Sequence, residues 1–133
     1  MSLQHAKLFT LYTCRYTQGE LTIILRGPIK SISKAEVLSS ILAYTIGNDL
    51  TARLFQDPKK SAGQFTFAKA FDNFALLGPR LVHPSKFTPA VSTMTTRVNG
   101  EITQNSQLDF VFPVDDLVHF LAQGALEIEM CCR

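Results

Sequence analysis

Tyr44 to Arg53 reads YTIGNDLTAR, and this run decides the fold. Tyr44, Thr45, Ile46 and Thr51 are aromatic or β-branched types that suit a pleated surface, so Tyr44 to Ala52 reads as a strand, with Gly47-Asn48 as an irregularity inside it. Asp49 is the only acid in the run. Phe65 to Asp72, reading FTFAKAFD, then places Lys69 among aromatic residues. An aspartate carried toward a site by a β-branched run, with a lysine in apolar surroundings, suits metal-assisted enolate chemistry. The carboxylate holds a hard divalent cation, and the ammonium stabilises developing negative charge. A further acid, Glu20, stands at the head of a separate apolar strand, Leu21 to Leu25.

Working outward, residues 7 to 14 (KLFTLYTC) and 20 to 26 (ELTIILR) read as strands, the second ended by Gly27-Pro28. Ser33-Lys34-Ala35-Glu36 has the form of a capping box. Val37, Leu38, Ile41 and Leu42 follow at helical spacing, which predicts a helix from Lys34 to Ala43. Asp57 to Gly63 reads as a loop, and Phe71 to Pro84 as irregular chain with a short strand, Arg80 to His83. Asn99-Gly100 accepts the positive φ angles of a type I′ turn, so Met94 to Val98 and Glu101 to Gln104 form a hairpin. A third strand, Asp109 to Phe112, is expected next. Pro113 then opens a helix whose apolar face is Val114, Leu117, Val118 and Leu121, with Asp115 and Asp116 at its positive end and Gly124 as its stop. The fold class is mostly β with two short helices (α+β), in a mixed sheet that is rolled or barrel-like, because many short strands need closure or cover.

The chain has 133 residues, which favours one domain, 1–133. It is 46% hydrophobic and only 18% charged, a balance that points to a buried oligomer face. No apolar run approaches the ~20 residues that a spanning helix needs, so no membrane partner is expected. MSLQHAKLFT lacks the apolar core of a secretory signal. The net charge of +2 is scattered, and Lys59-Lys60 is the sole adjacent basic pair, so nucleic acid is not an expected partner. Cys14, Cys131 and Cys132 form neither a disulfide framework nor a zinc spacing. A reducing compartment is implied, cytoplasmic or alternatively mitochondrial.

Each site residue also has a plain structural reading. Glu20 suits an exposed strand edge, Asp49 a turn that bonds its own backbone, and Lys69 a solvated strand residue or a snorkelling side chain. His5, His83 and His119 show no partner spacing, and His119 reads as a surface residue. Phe65, Phe67, Phe71 and Phe74 read as core.

QGELTIIL, AYTIGNDLTAR, AKAFDNFALLGP and RVNGEITQNSQLDFVFPVDDLVHFL, taken in order, resemble the fumarylacetoacetate hydrolase family in its catalytic carboxy-terminal domain. The resemblance runs from about residue 16 to 126, with 127–133 as a divergent tail. It implies a β-roll, a dimer, and magnesium or manganese held by acids. It also implies chemistry on a small β-keto, diketo or acylpyruvate-like acid through an enolate: carbon–carbon hydrolysis, decarboxylation or keto–enol tautomerisation. By position, Glu20 and Asp49 match metal ligands and Lys69 the active-site lysine.

Gln18 stands where the family has another glutamate, so it is expected to ligate as a neutral amide and to weaken metal binding. Ala43, Ala68 and Ala70 replace Gly, Gly and Ser, and Leu76 replaces Pro. An alanine at Ala68 would be costly if that position needs positive φ. The lid with a His and a Glu that the resemblance implies upstream is not found, since His5 is too close to Glu20. ALEIEMCCR stands where the family has G-D-x-I-x-T-G-T-P. These departures leave open a catalytically degenerate paralogue that dimerises or binds a ligand without turning it over.

Overall fold

The computed structural model describes residues 15–124, with side chains from Gln18 onward. Two antiparallel sheets and three α-helices form an α+β fold, with no closed barrel among the described residues. The expected strand at 7–14 and the tail at 127–133 lie outside the described residues.

The long ribbon of the fold is β1 (Arg15–Leu25) paired with β2 (Ile41–Ala52). The register runs from Arg15 opposite Ala52 to Ile24 opposite Ala43, with a single shift between Ile24 and Leu25. Gly47-Asn48 is not an irregularity. Both residues stay in register with β1 and also pair on their other side with β3 (Leu76–Leu77). Glycine is required at 47 for closeness rather than for its φ. A Cβ there would lie 2.7 Å from the Thr22 hydroxyl oxygen. Beyond β3 the chain stays stitched to β2. Gly78 N–H donates to the Ile46 carbonyl, the Thr45 hydroxyl donates to the Arg80 carbonyl, and Tyr44 and Val82 exchange both backbone bonds at 2.8 Å. The strand expected at Arg80 to His83 is therefore one isolated bridge at Val82, and the ladder lies earlier.

Helix α1 (Lys34–Ser40) starts as the capping box predicts. The Ser33 N–H and hydroxyl both donate to one Glu36 carboxylate oxygen, at 3.0 and 2.6 Å. It ends three residues before the expected Ala43. Ser39 and Ser40 turn their hydroxyls back onto the Glu36 and Val37 carbonyls, and Ile41 takes extended angles (φ −77, ψ 122) opposite Leu25. Strand pairing overrides the helical spacing of Ile41 and Leu42.

The expected loop at 57–63 holds a short helix, α2 (Pro58–Ser61). Asp57 caps it by accepting from Lys59 N–H, Pro58 occupies the first turn, and Ala62 takes the left-handed conformation that ends it. Two 3₁₀ turns, Arg53–Gln56 and Phe65–Ala68, flank it. Phe71 stacks obliquely on Phe55 and on Phe74, with centroids 5.4 and 5.3 Å apart. Phe65 and Phe67, expected in the core, are exposed.

The hairpin β4 (Thr93–Val98) and β5 (Glu101–Gln107) turns at Asn99 and Gly100, whose φ values are 52 and 89. The strand expected at Asp109 to Phe112 does not form. Leu108 N–H still reaches the Ser92 carbonyl, but Val111 and Phe112 stand exposed before Pro113, with no strand alongside among the described residues. Helix α3 (Val114–Ala122) follows. It buries Val118 and Ala122, with Val114 partly covered, while Leu117, Phe120 and Leu121 stay exposed. The buried stripe is therefore narrower than the four-residue face expected. His119 is not a free surface residue, since Nδ1 lies 2.8 Å from the Ile32 carbonyl oxygen. The core joins Leu25, Ile29, Val37, Ile41 and Tyr44 to α3. Each such aliphatic side chain contributes about 1.5–3 kcal/mol on burial. Lys34 adds an ion pair to Asp116 at 2.5 Å, closing α1 onto α3 at the surface.

Candidate active site

Strand alternation assembles the site. Gln18 lies opposite Asp49 and Glu20 opposite Gly47, so Gln18, Glu20 and Asp49 belong to one face of the β1–β2 ribbon. Thr22, two residues on, shares that face. Gly47 leaves the space between Glu20 and Asp49 without a side chain. Glu20, Thr22, Asn48, Asp49, Ala75 and Leu77 line a cleft of about 90 Å³ there. Gln18 is exposed beside it.

Lys69 reaches the same place from elsewhere. It caps the 3₁₀ turn Phe65–Ala68, with its N–H on the Thr66 carbonyl, so it is not a strand residue, and its side chain is 42% exposed. Its ammonium forms an ion pair with Asp49 Oδ2. Ala68 beside it is fully buried and is not among the positive-φ residues, so the methyl carries no backbone strain. The Arg53 guanidinium donates to Gln56 Oε1 at 2.7 Å.

Asp49 uses only one of its two oxygens in this pair. Oδ1 is buried and has no hydrogen-bond partner among the described residues, and the same holds for Asn48 Oδ1. A buried carboxylate oxygen without a donor is costly, about 1–3 kcal/mol or more, and calls for a cation or a donor from outside. The donor set of two carboxylates and an amide is all oxygen, which suits a hard divalent cation such as Mg²⁺ or Mn²⁺. No group of three or more His, Cys, Asp or Glu side chains is gathered among the described residues. The residues present fit a metal of this kind with a reduced charge. Thr22 was legible as a neighbour of Glu20 by its spacing. Asn48 lies opposite Gly19, so strand alternation puts its side chain on the other face of the ribbon, although the residue borders the cleft.

The opposite face of the ribbon is apolar. Leu21, Tyr44, Ile46, Val82 and Phe87 line a second, wider cleft of about 260 Å³. Burial pushes the Tyr44 phenol up, with a smaller contribution from Asp115.

A chain with this ribbon, hairpin and acid pair has the architecture of one known enzyme domain. Residues 15–128 match the family described as Fumarylacetoacetate (FAA) hydrolase C-terminal, and the chain belongs to that family. It is 37% identical over 109 residues to the oxaloacetate tautomerase YisK of Bacillus subtilis, covering 80% of this chain and 35% of that one. It is 31% identical over 106 residues to the mitochondrial oxaloacetate tautomerase Fahd2a of Rattus norvegicus, covering 78% and 33%. Among solved structures, the 2-hydroxyhepta-2,4-diene-1,7-dioate isomerase of Mycobacterium marinum superposes with a TM-score of 0.73 at 35% identity, over 86% of this chain and 43% of that one. The chain thus spans less than half the length of these relatives. Its described helices include none long and apolar enough to cross a membrane.

Proposed function

We propose that this chain carries the catalytic face of a metal-dependent enzyme that interconverts keto and enol forms of a small dicarboxylic keto acid. Oxaloacetate is the leading substrate class, and carbon–carbon hydrolysis or decarboxylation of a related diketo or acylpyruvate acid would use the same enolate. The observation that carries this reading is Asp49, with one oxygen on Lys69 and the other buried and unpartnered, in a cleft shared with Glu20. The names of the relatives support it.

Glu20 and Asp49 would hold Mg²⁺ or Mn²⁺, with the Gln18 amide oxygen as a neutral third donor. A divalent ion, when bound, supplies positive charge that favours an enolate over the keto form. Lys69 brings a second positive charge to the same carboxylate, which favours anionic substrates and the anion formed from them. Thr22 offers a hydroxyl at the cleft wall, beside Ala75 and Leu77. A homodimer is part of this reading, since Ile46, Leu76, Leu77 and Leu81 are all more than half exposed around β3. A cytoplasmic or mitochondrial setting accords with the cysteine pattern.

The test is the rate of oxaloacetate ketonisation with Mn²⁺ present, followed by ultraviolet absorbance with product identity by mass. Acceleration that is lost in Asp49→Ala supports the reading. A rate equal to the uncatalysed one overturns it. One feature favours a second reading, a ligand-binding paralogue without turnover: Gln18 leaves the pair of acids one charge short. Mn²⁺ and keto-acid binding without product would identify it.

A further inference from the structure

Among the described residues β1 is an edge strand, and alternate residues of an edge strand turn their N–H and C=O away from the paired neighbour. Gly19 does so, and one side chain takes up both groups. Gln104 Oε1 accepts from Gly19 N–H at 3.0 Å, and Gln104 Nε2 donates to the Gly19 carbonyl at 3.2 Å. The Thr96 hydroxyl donates to the same Oε1 at 2.9 Å, which fixes the orientation of the amide. Gln104 therefore stands in for a strand partner, 85 residues away in sequence. Gly19 is required for this approach, because a Cβ there would run into Thr96 Oγ1 and lie 3.3 Å from Gln104 Oε1. Gly19 is also the residue between Gln18 and Glu20. Its two peptide groups are the ones that set the direction of both side chains toward Asp49.

From this geometry we infer that Gln104 is a positioning residue for the metal-binding face: its amide pins the backbone of β1 at Gly19 so that Glu20 and Gln18 converge with Asp49. The inference rests on the metal reading of Glu20 and Asp49 given above. Partners that orient the ligands of a metal typically change its affinity by 10- to 100-fold when removed.

The test is calorimetric Mn²⁺ titration of the full chain and of Gln104→Met, which keeps the bulk and loses both bonds. Thermal unfolding of each protein is recorded alongside. Val118→Ala, a core truncation away from the cleft, serves as the control for stability alone. Mn²⁺ affinity should fall about 10-fold in Gln104→Met and stay at the native value in Val118→Ala, although both unfold at lower temperature. Should Gln104→Met fail to fold, Thr96→Val retains the Gly19 bonds and removes only the orienting hydroxyl, and a smaller weakening is expected. Native affinity in the Gln104 and Thr96 variants, or the same loss in Val118→Ala, would overturn the positioning role while leaving the metal site standing. Absence of Mn²⁺ binding by the native chain would overturn both.

Discussion

Gln18 faces Asp49 directly across the β1–β2 ladder, so an uncharged amide stands opposite a largely buried acid of the cleft. This pairing sets the charge of the site. Gln18→Glu adds a third carboxylate on the same face. We expect Mn²⁺ affinity to rise on the order of tenfold, about 1.4 kcal/mol. Calorimetric titration measures it, and an unchanged affinity would remove Gln18 from the donor set.

Lys69 and a divalent ion would each claim part of Asp49. Lys69→Met frees Oδ2, so metal affinity should rise several-fold while ketonisation of oxaloacetate is lost. Parallel binding and rate measurements separate the two effects. Equal loss of both would mean that Lys69 holds the site together rather than serving the reaction.

A Cβ at position 47 would lie 2.7 Å from the Thr22 hydroxyl oxygen, in the space between Glu20 and Asp49. Gly47→Ala should destabilise the chain by about 1–3 kcal/mol through overpacking, read from urea unfolding. Thr22→Ala in the same chain should recover most of that loss, because the crowded atom is the threonine hydroxyl. Additive losses in the double variant would place the strain elsewhere.

The α1 cap has a defined pH dependence. Hydrogen bonds from the Ser33 hydroxyl, and then from its N–H, hold the Glu36 carboxyl below its ordinary value of 4.5. A lowered value means that the unfolded chain binds the proton more readily. The contribution is therefore fully present above pH 4.5 and is lost as pH falls through the folded value. The difference in melting temperature between the native chain and Glu36→Ala should be constant near neutrality and shrink in acid. A gap that widens in acid would contradict the cap.

Local chemistry made some elements legible in the sequence. Asn99-Gly100 specifies its own φ angles, and Ser33 with Glu36 specifies a helix start, so both features formed as expected. Competition between elements hid others. Ile41 and Leu42 fit a helix and a strand equally well, and pairing with β1 decides between them. Asp109 to Phe112 has strand-like residues and, among the described residues, no strand to pair with. Asp57-Pro58 carried a helix-start signal inside a stretch that otherwise reads as a loop.

The site divides along the same line. Glu20 and Asp49 share a face that follows from strand alternation once the register is known. Lys69 meets Asp49 through a corner of 3₁₀ turns that no periodicity announces. Gln104 bonds backbone groups 85 residues away, and nothing near it in the chain marks that partner.

The most direct test of the account is Mn²⁺ titration of the native chain beside Asp49→Ala, followed by calorimetry at neutral pH. The account predicts saturable binding by the native chain and none by the variant. Binding of equal strength in both would contradict it.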